Sequence, residues 1–235
     1  MKKTKNNKKL VEAIDLSKIY EPLDAIKLLK ENSYTKFDET LEIAINLGID
    51  PNKTEQNVRG MISLPKGTGK KIKVAVMAKG DKLNEAKEAG ADIVGETDLV
   101  DTISSGKIEF DLLIASPDMM PSIGKVAKIL GPKGLMPNPK LGTVTPDIKT
   151  AVENAKAGQV QYKNDKGGII HAGIGKMNFS ENDLVENLKA FFSTVSKSKP
   201  DTVKGSFIKK VTIASTMGVG LQINATSLRW MGFNR

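Results

Sequence analysis

Residue types that make or break covalent bonds are scarce in this sequence. Cysteine is absent and His171 is the only histidine, so thiolate nucleophiles, disulfides and histidine-built metal centres have almost no material. No serine or carboxylate pair stands near His171 in the chain to complete a nucleophile, base and orienter, so a hydrogen-bonding or RNA-facing histidine is the better reading. Asp92, Glu96, Asp98 and Asp101 could be imagined around a metal ion. Acids at the positive end of a solvated helix explain them more simply. Gly67-Thr68-Gly69-Lys70 has Leu64 and Lys71 where a phosphate loop needs glycine and a hydroxyl, and its glycines precede a strand instead of following one. Gly173-Ile174-Gly175 has Asn178 where a dinucleotide site needs its last glycine. The reading is therefore no catalytic set, no metal and no cofactor.

Residues suited to non-covalent recognition are better represented. Lys36 and Phe37 put a cation beside an aromatic ring, a pair that can meet phosphate and stack on a base or ribose; burial of Phe37 in a core is the competing reading. Thr216-Met217-Gly218 offers a hydroxyl, a soft apolar side chain and a glycine that permits close approach, against a plain hairpin turn as the alternative. Residues 123–139 join a short helix, with Val126, Ile129 and Leu130 on one face and Lys125 and Lys128 on another, to a Gly/Pro-rich loop carrying Lys133. Such a cationic, donor-poor loop suits a polyanion better than a packed core.

The bulk numbers agree. The chain has 235 residues, a formal charge of +9 and a pI near 9.5, which favours an anionic partner. Between residues 67 and 158 there are 13 lysines and 12 acids, so nearly all the excess charge lies in the flanks. Lys2, Lys3, Lys5, Lys8 and Lys9 make residues 1–9 a basic tail, able to strengthen phosphate binding without reading sequence. No apolar run reaches membrane-spanning length and no signal peptide is visible, so a soluble, internal protein without a membrane partner is expected.

Positioning these residues requires two kinds of architecture. The middle alternates strands (residues 72–78, 93–94 and 111–115) with helices started by Asp81, Asp98 and Thr145-Pro146-Asp147, as in a parallel sheet covered by helices. The flanks read as α+β. A half-buried strand over residues 39–49 is expected to pair with residues 59–64. Residues 159–162 and 168–172 read as a hairpin, 181–195 as an amphipathic helix, and 207–214 and 219–223 as strands around Thr216-Met217-Gly218. Neither flank holds enough strands for a stable sheet, so the two are expected to pair with each other. This gives a split α+β domain, residues 1–66 and 159–235, and an inserted Rossmann-like three-layer α/β domain, residues 67–158, joined by two glycine-containing crossings that permit hinge motion.

With these residues in view, the chain resembles the L-one family of large-subunit ribosomal proteins nearly end to end. Carrying the resemblance are Asn57-Val58-Arg59-Gly60, Leu64 to Lys70, residues 123–139, Asn164-Asp165-Lys166, Ile170-His171, Gly175-Lys176, Lys199-Pro200, Lys204-Gly205 and Thr216-Met217-Gly218. The resemblance implies the same two-domain arrangement and binding of a structured large-subunit rRNA site, chiefly by the split domain. It puts RNA contacts at Lys36, Phe37, Thr40, Lys163, His171, Thr216, Met217 and Gly218; the basic loop with Lys125, Lys128 and Lys133, in the nearly neutral inserted domain, then reads as a secondary RNA contact. It further implies a place in the mobile stalk of the cytoplasmic ribosome, with exit-site tRNA and the protein's own operon mRNA as partners, and a monomer when free of the ribosome. Val219 stands where the family usually has proline. Residues 225–235, with Trp230, Arg229 and Arg235, read as a disordered extension or an altered reading frame, with an additional RNA contact as the alternative. A nucleotide-dependent enzyme built on the inserted domain and a nonspecific basic coat are the alternatives.

Overall fold

The computed structural model describes residue 10, residues 14–80 and residues 82–228; the basic tail, the Asp81 cap, Arg229, Trp230 and Arg235 lie outside the described residues. The chain divides into two compact units, Met1–Gly69 with Val160–Arg235, and Lys70–Gln159. The first crossing thus leaves its unit three residues later than the glycine pattern suggested. Asn187, fully buried, explains the shift: its Oδ1 accepts the Lys66 N–H (3.0 Å), and its Nδ2 donates to the Gly67 and Ile174 carbonyls (2.9 Å each). A buried amide satisfied this way fixes the segment to the helix that carries it.

The split unit is built on β1 (Thr40–Leu47), β7 (Ile169–Lys176), β8 (Ile208–Ser215) and β9 (Leu221–Ile223), in the sheet order β7-β1-β8-β9 with every pair antiparallel. Each strand alternates, so Leu41, Ile43, Ile45 and Leu47 meet Ile170, Ile174, Val211, Ile213, Leu221 and Ile223 in one core. Among the described residues, two long helices cover that face. α1 (Pro22–Glu31) buries Ala25, Ile26 and Leu29, and α7 (Glu181–Lys197) buries Leu184, Leu188, Phe191, Phe192 and Val195. Pro22 at its first turn and Asp24 near its positive end favour α1 where it starts, while Ser180 caps α7 by accepting the Asp183 N–H at 3.1 Å.

Two pairings differ from the sequence expectation. β2 (Arg59–Ser63) does not join β1; it forms a separate ribbon with β6 (Gln159–Lys163). The 159–172 hairpin is correspondingly absent as a ladder, reduced to one bridge between Asn164 and Ile170. Asn164 is the cause. Its side chain accepts the Val58 N–H (2.8 Å) and its own N–H donates to the Val58 carbonyl (2.9 Å), drawing β6 to β2. Meanwhile Ile170, Ala172 and Ile174 hold β7 on the core sheet. Of the segment expected to be disordered, residues 225–228 are ordered: the Thr226 N–H donates to Asn224 Oδ1 and Leu228 is fully buried, while Asn224 donates to the Tyr20 carbonyl and to Glu21 Oε1.

In the second unit, β3 (Val74–Met77) lies between β4 (Ile93–Gly95) and β5 (Leu112–Ala115), all parallel. Its two faces bury separate clusters. One takes α3 (Thr97–Ser104), α4 (Met120–Gly124) and α5 (Ala127–Leu130); the other takes α2 (Lys82–Glu88) and α6 (Ile148–Lys156), giving three layers. Asp147 caps α6 through the Thr150 N–H. The single helix expected before Gly131 is instead the α4–α5 pair, broken where the Lys125 and Val126 N–H groups bond three residues back. Ile123, Val126 and Leu130 still share the buried side. At the sheet's N-terminal edge, Asp92 accepts the Val74 N–H and Asp111 the Lys73 N–H, bonds that together with Lys156 and Lys70 hold both carboxyls below their usual range.

Candidate nucleic-acid interface

The residues at one end of the four-stranded sheet come from opposite ends of the chain. Residues 33–40 enter β1, residues 215–218 leave β8, and the register pairs Leu41 with Ser215. The turn after β8 closes with the Gly218 N–H donating to the Ser215 carbonyl (3.1 Å). Glycine leaves room there, since a Cβ at residue 218 would sit 2.4 Å from Ser215 Oγ and force that hydroxyl to turn or the turn to shift.

Three links tie the two segments together. The Thr40 N–H donates to Thr216 Oγ1 (3.0 Å), the Met217 N–H to Glu39 Oε1 (2.9 Å), and the Tyr34 hydroxyl to the Met217 carbonyl (3.3 Å). With its peptide groups held by the other segment, Met217 leaves its side chain in solvent, 49% exposed, as is Phe37 at 56% and Tyr34 at 41%. Burying such side chains is favourable, so three exposed at one sheet end make this a candidate binding surface. Lys36 and Phe37 also line a recess with Lys30, Ser33, Thr35, Asp38, Glu39, Met177 and Asn178. Lys176 stands beside it, its ammonium on Thr40 Oγ1 and the Asp38 carbonyl (3.1 Å each).

Of the eight principal positions named from the sequence, Lys36, Phe37, Thr40, Thr216, Met217 and Gly218 therefore come together. His171 and Lys163 do not join them. His171 pairs with Ala44, four residues along β1 from Thr40, which is about 13 Å of strand. It stands on the sheet face that no helix covers among the described residues, 62% exposed, with Nε2 3.6 Å from Asp165 Oδ2. The Ile169 N–H, then the Gly167 N–H and His171, hold the Asp165 carboxyl below its usual range. Lys163 is exposed on β6, and the Asn164–Ile170 bridge sets it across from His171. Lys125, Lys128 and Lys133 are all exposed, in the other unit. Ser33, Tyr34 and Glu39 went unnoticed in the sequence, although Glu39 gave a signal: it falls in phase with Leu41, Ile43 and Ile45, the buried side of its strand.

Aromatic and thioether surface beside lysines fits a binding surface. Comparison with known proteins fixes the family. Residues 29–219 match the model of the Ribosomal protein L1p/L10e family. The chain belongs to that family. It is 56% identical over 229 residues to the large ribosomal subunit protein uL1 of Rickettsia akari (strain Hartford), with 96% of each chain covered. The uL1 proteins of Rickettsia canadensis (strain McKiel) and Rickettsia bellii (strain OSU 85-389) are 54% and 55% identical at the same coverage. The matched span runs from within α1 to Val219, so it holds both segments of the sheet-end surface and the whole inserted unit.

Proposed function

We propose that the split unit grips a structured region of large-subunit rRNA through the sheet-end surface, with Phe37 and Met217 against bases and sugars and Lys36 against phosphate. As a member of its family the chain is a structural constituent of the large ribosomal subunit, located in the cytoplasmic ribosome, and not an enzyme. The observation that carries the finer reading is the hydrogen-bonded union of residues 33–40 with 216–218, which presents exposed apolar side chains beside a lysine.

Gly218 and Thr40 shape this surface, while Lys163 and His171 extend it along the open sheet face. On this reading the bound rRNA forms the mobile stalk, and the inserted unit meets exit-site tRNA or rRNA through Lys125, Lys128 and Lys133 as the tRNA leaves. The same surface takes the protein's own operon mRNA and represses translation, and the free protein is a monomer. The test is binding of the purified chain, F37A and M217A to the stalk rRNA fragment and to the operon leader at several salt concentrations. Loss of affinity in both variants supports the grip; unchanged affinity in both overturns it.

A further inference from the structure

Glu39 is a carboxylate beneath a surface read as RNA-binding, where attraction to phosphate gives it no purpose. It is 2% exposed, and both oxygens are engaged: Oε1 accepts the Met217 N–H at 2.9 Å and Oε2 the Ser33 hydroxyl at 2.8 Å. Placing a carboxylate in such a site is costly unless its hydrogen bonds are made, and a negative charge there repels an RNA backbone. Its use must therefore be geometric. Residues 33–40 and 215–218 lie far apart in sequence, with Glu39 and Met217 separated by 178 positions. Glu39 ties the Met217 peptide to Ser33, at the start of the segment that carries Phe37.

We infer that Glu39 is the positioning residue that assembles the RNA grip, setting the spacing between Phe37 and Met217 without touching RNA itself. This rests on the reading of that surface given above. A carboxylate suits the task because it only accepts, and so takes two donors from two segments at once. Charge-assisted bonds also hold their geometry better than neutral ones. The Thr40–Thr216 and Tyr34–Met217 bonds link the same two segments but lie exposed, one bond each, whereas Glu39 is buried and holds the Met217 peptide and the Ser33 hydroxyl at once.

The full-length chain and its E39A, E39Q and S33A variants should be measured for binding to the stalk rRNA fragment and to an unrelated RNA duplex of equal length. E39A is expected to lose about tenfold or more in affinity for the fragment and little for the duplex, lowering the specificity ratio. E39Q should recover most of that loss, since its amide oxygen can accept the Met217 N–H while the Ser33 hydroxyl turns to accept from the amide nitrogen. S33A, which removes one of the two bonds, should lose about threefold. Should E39A fail to fold, E39Q and S33A still decide the matter, because both keep the buried site filled. Wild-type binding by every folded variant, or equal weakening for both RNAs, overturns the inference. If F37A and M217A are silent as well, the reading of the surface has failed instead.

Discussion

The sheet end of the split unit and the helical surface of the inserted unit are both candidates for RNA, yet they are built on different principles. At the sheet end, apolar side chains stand in solvent because backbone groups from two distant segments satisfy each other and hold them there. On the inserted unit, Lys125, Lys128 and Lys133 are exposed along one continuous stretch whose apolar residues, Ile123, Val126 and Leu130, are buried beneath it. The first arrangement can read shape, because it fixes contact atoms relative to one another. The second can respond only to charge, because lysine ammonium groups on flexible stems follow an anion wherever it lies.

That contrast can be broken by experiment. The largest effect is expected for the F37A/M217A double variant: base and sugar contacts of this kind are each worth about 1–3 kcal/mol, so affinity for the stalk fragment should drop about a hundredfold. Its salt slope should stay near that of the parent chain, since no charge is lost. A steep change in the slope would mean that the sheet end also binds mainly by charge. Next comes G218A, where a methyl 2.4 Å from Ser215 Oγ must turn that hydroxyl away or shift the turn. A loss of about 1–3 kcal/mol in stability, read from urea unfolding, is expected together with weakened RNA binding.

Smaller effects belong to the inserted unit. Replacing Lys125, Lys128 and Lys133 together with alanine should lower the salt slope by at most about 2, with only severalfold loss at physiological salt. Loss of specificity in that triple variant would erase the distinction between the two surfaces. The smallest effect concerns acid. Asp92 and Asp111 are held below their usual range in the fold, by the Val74 N–H and by Lys70 respectively as the leading causes. Their stabilising contribution is present above the unfolded carboxylate pKa of about 3.9 and is lost as pH falls through the lower folded values. Thermal melts of D92N should show a loss near pH 7 of roughly 1 kcal/mol or less, given how exposed the side chain is, and a shallower decline below about pH 4 than the parent.

Much of the fold was legible because it is written locally. The alternation of Leu41, Ile43, Ile45 and Leu47 gave β1, the stripe from Leu184 to Val195 gave α7, and Asp147 gave the start of α6. What failed were choices among partners. Residues 59–64 carry a strand pattern that fits several neighbours, and only the Asn164 side chain, bonded to the Val58 backbone, decides for β6. Likewise a Gly-rich turn at residues 165–168 is equally good for a hairpin and for a chain that parts into two sheets. The α4–α5 break escaped notice because a stripe that stays buried on one side looks the same whether or not the ladder is interrupted.

The sequence by itself determined composition-level exclusions, the alternation of strands and helices, and the motifs that pointed to a ribosomal family, since all of these depend on residue types at short spacing. It singled out Phe37 and Met217 without showing that they belong together. Tertiary structure decided that, by carrying residue 39 to residue 217 across the sheet. A buried carboxylate has meaning only through the donors it meets, and those donors are set by the register of β1 against β8, a long-range pairing that no local pattern records.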